Sequence, residues 1–162
     1  MQLNDVYLER FLSDLQVVEK EVKLLSSSQS RMFGHGVISR DWVSQLEGDE
    51  AKADMVEAFL ARFSRMQDSI GGKLIPHLLL LEGEDPGSLL DNINRMEKRA
   101  LLPSARNWVN MRQLRNKLVH EYVEDEDEFA SSLNTANKYI DELIQIFRNI
   151  KRYAKNNLEL DV

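Results

Sequence analysis

The 162-residue chain contains no cysteine. This excludes a disulfide scaffold, thiolate zinc sites, iron–sulfur clusters and a cysteine nucleophile, and it suits a reducing cytoplasm. Three prolines and seven glycines are few for a chain that must turn sharply many times, so a sandwich or barrel is not expected. The longest uninterrupted apolar run, Leu78 to Leu81, is far too short to span a bilayer. The opening MQLNDVYLERF carries acids where a secretory signal needs an apolar core. A cytoplasmic protein with no membrane partner is expected. Phosphate-binding glycine loops, GxSxG, HExxH and calcium-binding loops are missing too. The three histidines, His35, His77 and His120, do not fall at metal-ligand spacings, so neither a metal nor another cofactor is expected. His35, between two glycines, reads as a loop residue, and His77 as a core or surface residue of an apolar helix.

What is present is a composition of 43% hydrophobic and 30% charged residues, that of one folded domain over residues 1–162. Leu8, Phe11, Leu15, Val18, Val22 and Leu25 recur at helical steps, and Ser26 to Ser28 are expected to end that helix. After a stretch without a period as far as Gly48, a second stripe runs Met55, Phe59, Phe63, Met66, Ile70 and Leu74. Gly71, Gly72 and Pro76 should weaken or kink it near its C-terminal third. Ser88 with Asp91 resembles a capping box for a short third helix to about Ala100. A fourth places Trp108, Met111, Leu114 and Leu118 on one face, where Trp108 and Met111 are expected in the core or a dimer interface. A fifth carries Phe129, Leu133, Ala136, Ile140, Leu143, Phe147 and Ile150. No strand, repeat or interdomain linker is evident. The predicted class is all-α, an antiparallel bundle of about five helices.

The net charge of −6 argues against coating by nucleic acid, but the charge is unevenly spread. From Arg95 to Lys117 there are seven cations and one acid, and from Glu121 to Glu128 six acids and no cation. Acids at a helix N-terminus and cations at a C-terminus account for such a junction through the helix dipole alone. The junction nevertheless holds LRNKLVHEY, in which Arg115, Asn116, Lys117, His120 and Tyr122 crowd one helix end. Arginine presents a permanent planar fork to a phosphodiester, and histidine exchanges a proton near neutral pH. A metal-independent ribonuclease needs these parts: a base for the ribose 2′-hydroxyl and a fixed cation for the transition state. On an ideal helix Asn116 and His120 lie about 40° apart, and Arg115 and His120 about 140° apart. Arg115 and His120 therefore meet one phosphate only if the helix frays or a second protomer contributes.

Arg115-x4-His120 resembles the Arg-x(4–6)-His motif of HEPN-domain proteins, and with Tyr122 it is similar to the fuller pattern of the HepT toxins; asparagine after the arginine is also typical. AFLARFSRMQDSIG and MEKRALLPSARNWVNMRQLRN extend the likeness loosely over most of the chain. The resemblance implies a homodimeric, metal-independent endoribonuclease of a toxin–antitoxin pair, acting on tRNA or mRNA. Arg115 and His120 would be the catalytic pair, with Asn116 orienting them, and Arg112 and Lys117 would contact the RNA. Tyr122 would be the residue to which a partner nucleotidyltransferase of the MntA type adds AMP, using ATP as its own substrate. Asp68 and Arg62, on the long helix, would be accessory residues. The rival reading is a non-catalytic helical dimer that binds and regulates a nucleotidyltransferase.

Overall fold

The computed structural model describes the backbone of residues 3–162 and the side chains of residues 4–120 and 125–162. Its order is α1 (Leu3–Phe33), α2 (Arg40–Ser44), a 3-10 turn (Gln45–Gly48), α3 (Glu50–Ser69), a π turn (Ile70–Leu74), α4 (Ile75–Leu81), α5 (Leu89–Lys98), α6 (Ala105–Glu124) and α7 (Glu126–Asn157). No strand occurs among the described residues, and the all-α bundle stands. Each of the five expected stripes has its helix, the second divided by the π turn, with the short α2 as an addition. α1 packs along α3, α4 and α7, while α6 lies between α3 and α7, and α5 closes against α6 and the π turn.

The stripes on α6 and α7 are buried without exception, from Trp108 to Leu118 and from Phe129 to Ile150. With Phe11, Phe59 and Phe63 they form one continuous core. On α1 two details differ from expectation. The helix does not stop at Ser26 to Ser28 but runs to Phe33, because Leu25, Ser28 and Met32 continue the buried face and Ser28 Oγ accepts a 2.7 Å hydrogen bond from Arg62 Nη1. Packing outweighs the modest helix propensity of serine. The helix ends instead just before Gly36, whose φ of 104° suits glycine. The second difference is at Val22, which is only half-buried, whereas Glu21 takes the core-facing position at 8% exposure.

The expected weak point in the second helix takes the form of a π turn. Ile75 N–H donates to Ile70 O, an i to i+5 bond that inserts one extra residue and turns the later side chains relative to the earlier ones. Pro76, in the first turn of α4, is tolerated there because that turn lacks an ordinary helical partner for its nitrogen. Gly71 allows close approach: a Cβ there would lie 2.8 Å from Trp108 Cζ2 and 3.0 Å from Leu89 Cδ1.

The junctions are capped by side chains. Ser88 Oγ accepts from Asp91 N at 3.2 Å, Ser104 Oγ from Asn107 N at 3.1 Å, and Asp125 Oδ1 from Glu128 N at 3.1 Å, each satisfying an orphan donor of a helix N-terminus. Arg99 clasps the far end of the bundle. Its guanidinium pairs with Glu82 at 2.5 Å and with Glu84, and Tyr153 Oη donates to the other Glu82 oxygen at 2.6 Å. This ties the α4–α5 connection to α7. The Glu82 hydrogen bond, with burial second, raises the Tyr153 pKa.

Candidate functional site

The motif residues lie on α6, whose backbone is helical through Glu124. No fraying separates Arg115 from His120, so within one chain the two side chains leave the helix on different sides. Arg115 is turned towards α3, partly buried at 24% side-chain exposure. There its Nη1 pairs with Asp68 Oδ1 at 2.5 Å and makes a longer contact of 3.4 Å with the Ser64 carbonyl. Asp68 remains largely exposed. The pair therefore orients the guanidinium more than it stabilises the fold, because an ion pair open to water contributes little. Asn116 and His120 are exposed. Arg112 is exposed one turn before Arg115 and lines a groove beside it.

Of the other residues singled out in the sequence, Lys117 pairs with Glu128 at the start of α7, at 3.1 Å. Arg62 points away from this region, donating to Ser28 Oγ and, at 3.1 Å, to the Leu24 carbonyl of α1. Tyr122 lies outside the described side chains. The acidic block has a clear local role: Glu126, Asp127 and Glu128 occupy the first turn of α7, where the helix dipole favours acids. Arg40 approaches Glu126 and Asp127 at 3.7 and 3.6 Å. His35 is exposed in the loop after α1. His77 Nδ1 instead meets Asp14 Oδ2 at 2.5 Å, both partly buried. Among the described residues no three His, Asp or Glu side chains gather as a metal site, and no helix is long and apolar enough to cross a membrane.

Two of the buried polar residues, Gln67 and Glu21, carry side-chain atoms without a hydrogen-bond partner. Gln67, on α3 beside Asp68, is 2% exposed, and neither its amide nitrogen nor its oxygen has a hydrogen-bond partner. Glu21 gives one carboxylate oxygen to Ser69 Oγ at 2.8 Å and leaves the other unpaired. Burial raises its pKa, against the lowering effect of Ser69, Arg65 and Lys73. Each lies beside an apolar stripe that is complete in sequence without it, Gln67 after Met66 and Glu21 before Val22, so no local pattern marks them. Trp108 is buried as expected, but its Nε1 also lacks a partner.

Compared with protein-family models, with curated proteins and with solved structures, the chain matches none of them.

Proposed function

We propose that this chain is a metal-independent endoribonuclease of the HEPN kind, the toxin of a pair whose antitoxin is an MntA-type nucleotidyltransferase. The observation that supports the reading best is the state of Arg115: Asp68 holds its guanidinium against α3, on the same helix as exposed Asn116 and His120. Such an arginine is set to receive a phosphodiester, because its planar fork keeps further donors beyond the one used on Asp68.

In the proposed reaction the ribose 2′-oxygen attacks the adjacent phosphorus and loses its proton to one histidine. The bond to the 5′-oxygen breaks, and that oxygen takes a proton from a second histidine, leaving a 2′,3′-cyclic phosphate. Arg115 stabilises the extra negative charge of the transition state. Since α6 is helical across the motif, the second histidine is assigned to His120 of another protomer in a twofold homodimer. Asn116 orients the pair, and Arg112 and Lys117 hold neighbouring phosphates. AMP added to Tyr122 by the partner enzyme would block this surface by bulk and by charge.

The second reading, a catalytically silent dimer that docks on a nucleotidyltransferase, is favoured by the charge balance. Arg115 is already neutralised by Asp68, and the chain carries −6 overall, which weakens general affinity for RNA.

Incubation of unmodified protein with total RNA and bulk tRNA in EDTA, beside His120→Ala and Arg115→Ala, separates the two. Cleavage by the wild type alone, with 2′,3′-cyclic phosphate ends, is the expected result. Intact RNA from folded, dimeric, unmodified protein would refute the ribonuclease reading and leave the docking module.

A further inference from the structure

Arg148, Lys151, Arg152 and Lys155 line one open groove of about 490 Å³ towards the end of α7. Their spacing places all four on a single face, along about 10.5 Å of helix. No acid occurs from Arg148 to Lys155. Lys151 pairs with Glu19 of α1 at 3.1 Å, whereas exposed Arg148, Arg152 and Lys155 make no ion pair among the described residues. Exposed Lys20 and Lys23 line an adjoining groove of about 470 Å³ on the α1 side, with Glu19 and Asp161. The two grooves together carry six cations and two acids, a local balance of +4 on a chain of −6.

The fold does not account for this stripe. The helix dipole favours cations only in the last turn, and of the four only Lys155 lies there. Like charges three and four residues apart on a helix repel, so the stripe opposes folding of α7. Its charge is answered by an anion from outside the chain. The remaining walls of the α7 groove are Asn156 and Val162, without the aromatic or large apolar anchor that centres a protein interface. Arginine, lysine and asparagine are instead the side chains that hold phosphate oxygens of a nucleic-acid backbone, arginine with a matching planar fork. The groove is also remote from the motif. Lys117 meets Glu128, and from Glu128 to Arg152 the helix advances by about 36 Å, with Lys151 turned towards α1.

Resting on the ribonuclease reading for the choice of RNA among polyanions, we infer that the α7 groove is a second RNA-binding surface, holding the phosphodiester backbone of a structured RNA away from the bond that is cut. Phosphate contacts carry no sequence information, so this surface supplies affinity and acts on KM, while the motif on α6 sets the chemical step.

Binding of labelled tRNA is measured by fluorescence polarisation across a salt series, in a His120→Ala background that leaves the RNA intact. Arg148→Gln, Arg152→Gln and Lys155→Gln together should weaken binding by about tenfold or more near physiological salt and flatten the slope of log K against log salt by about 2–3. Tm should not fall, because the repulsion along α7 is relieved. A control with the same change of charge elsewhere, Arg10→Gln, Arg31→Gln and Lys138→Gln, at exposed positions, should alter binding by about twofold or less. Equal weakening by the two triple variants, or unchanged affinity and slope in the first, would overturn the inference. So would labelled polyglutamate that binds as tightly as tRNA and is lost in the first variant, which assigns the groove to an acidic protein segment. Cleavage is read in parallel with His120 restored. RNA bound through the groove but left intact retains the second surface and removes the ribonuclease. Cleavage of tRNA with the same KM in wild type and groove variant does the reverse.

Discussion

Two adjacent glycines provide a test of how tightly the π turn is built. A Cβ at Gly71 would lie 2.8 Å from Trp108 Cζ2 and 3.0 Å from Leu89 Cδ1, whereas one at Gly72 meets nothing within 4 Å. Ordinary contact begins near 3.4 Å, so in Gly71→Ala the indole must retreat by about 0.6 Å. Trp108 is 2% exposed and held in the core, and such overpacking costs about 1–3 kcal/mol. Alanine recovers about 1 kcal/mol over glycine within a helix, leaving a net loss of up to about 2 kcal/mol. At roughly 2–4 °C per kcal/mol for a chain of this size, Tm should fall by up to about 8 °C. Gly72→Ala should be neutral or raise stability by about 0.4–1 kcal/mol, because it restricts only the unfolded chain. Urea unfolding followed by far-UV circular dichroism measures both, and near-UV dichroism reports the displaced indole. Equal stability of the two variants, or a stabilised Gly71→Ala, would refute the close packing of Trp108 on the π turn.

Glu21→Gln should raise stability near neutral pH. Burial places the Glu21 pKa above its ordinary value of 4.5 in the folded chain, so the folded state holds this proton more tightly. Its contribution to stability is then fully present below that ordinary value and is lost as pH rises through the folded pKa. The gap between variant and wild type should therefore open as pH rises from 4 towards 8; a gap that is constant, or that closes, contradicts this. Tyr153→Phe should cost about 1–2 kcal/mol by removing the hydrogen bond to the Glu82 carboxylate, and the cost should largely vanish in a Glu82→Leu background, which has no acceptor for the phenol, when all four proteins are unfolded in urea. Asp125→Ala should cost about 1 kcal/mol through loss of the α7 cap, with faster amide exchange confined to the first turn of α7; uniform acceleration would show a different cause. Asp68→Asn, which removes the charge that holds Arg115, should lower any RNA cleavage without changing Tm by more than about 2–4 °C, and unaltered cleavage would mean that Asp68 does not position the arginine.

The helical stripes were legible because a buried face repeats with the helix period whatever its neighbours are. The end of α1 was not, since Ser26 to Ser28 carry a breaker composition, while the packing of Ser28 under Arg62 is visible only in three dimensions. Gly71, Gly72 and Pro76 marked the right place for an irregularity but not its form, because an i to i+5 bond depends on how Trp108 and α5 press against the turn. At the candidate site, Arg115, Asn116 and His120 stood out as residue types crowded at one helix end. The contact of Arg115 with Asp68 spans 47 positions, beyond any local pattern, and Asp68 came to notice only through the resemblance. Gln67 and Glu21 left no such mark: the stripes are complete through Met66 and Val22, and only the packing of α1 and α6 against α3 shows that the neighbouring polar residues are buried as well. Arg62, also drawn in by the resemblance, is engaged with α1 instead of the motif.

The unbroken course of α6 through the motif has a bearing on dosage. Five residues along a rigid helix advance by about 7.5 Å while turning by about 140°, a fixed offset that no side-chain rearrangement within one copy cancels. Under the proposed reaction a single copy carries half a centre, so the rate at low abundance should grow with the square of concentration and become linear only once pairing saturates. Such a molecule would be quiet at the few copies made by leaky expression and potent after a modest rise. A helix that stays intact would thus set a threshold, without any separate sensor.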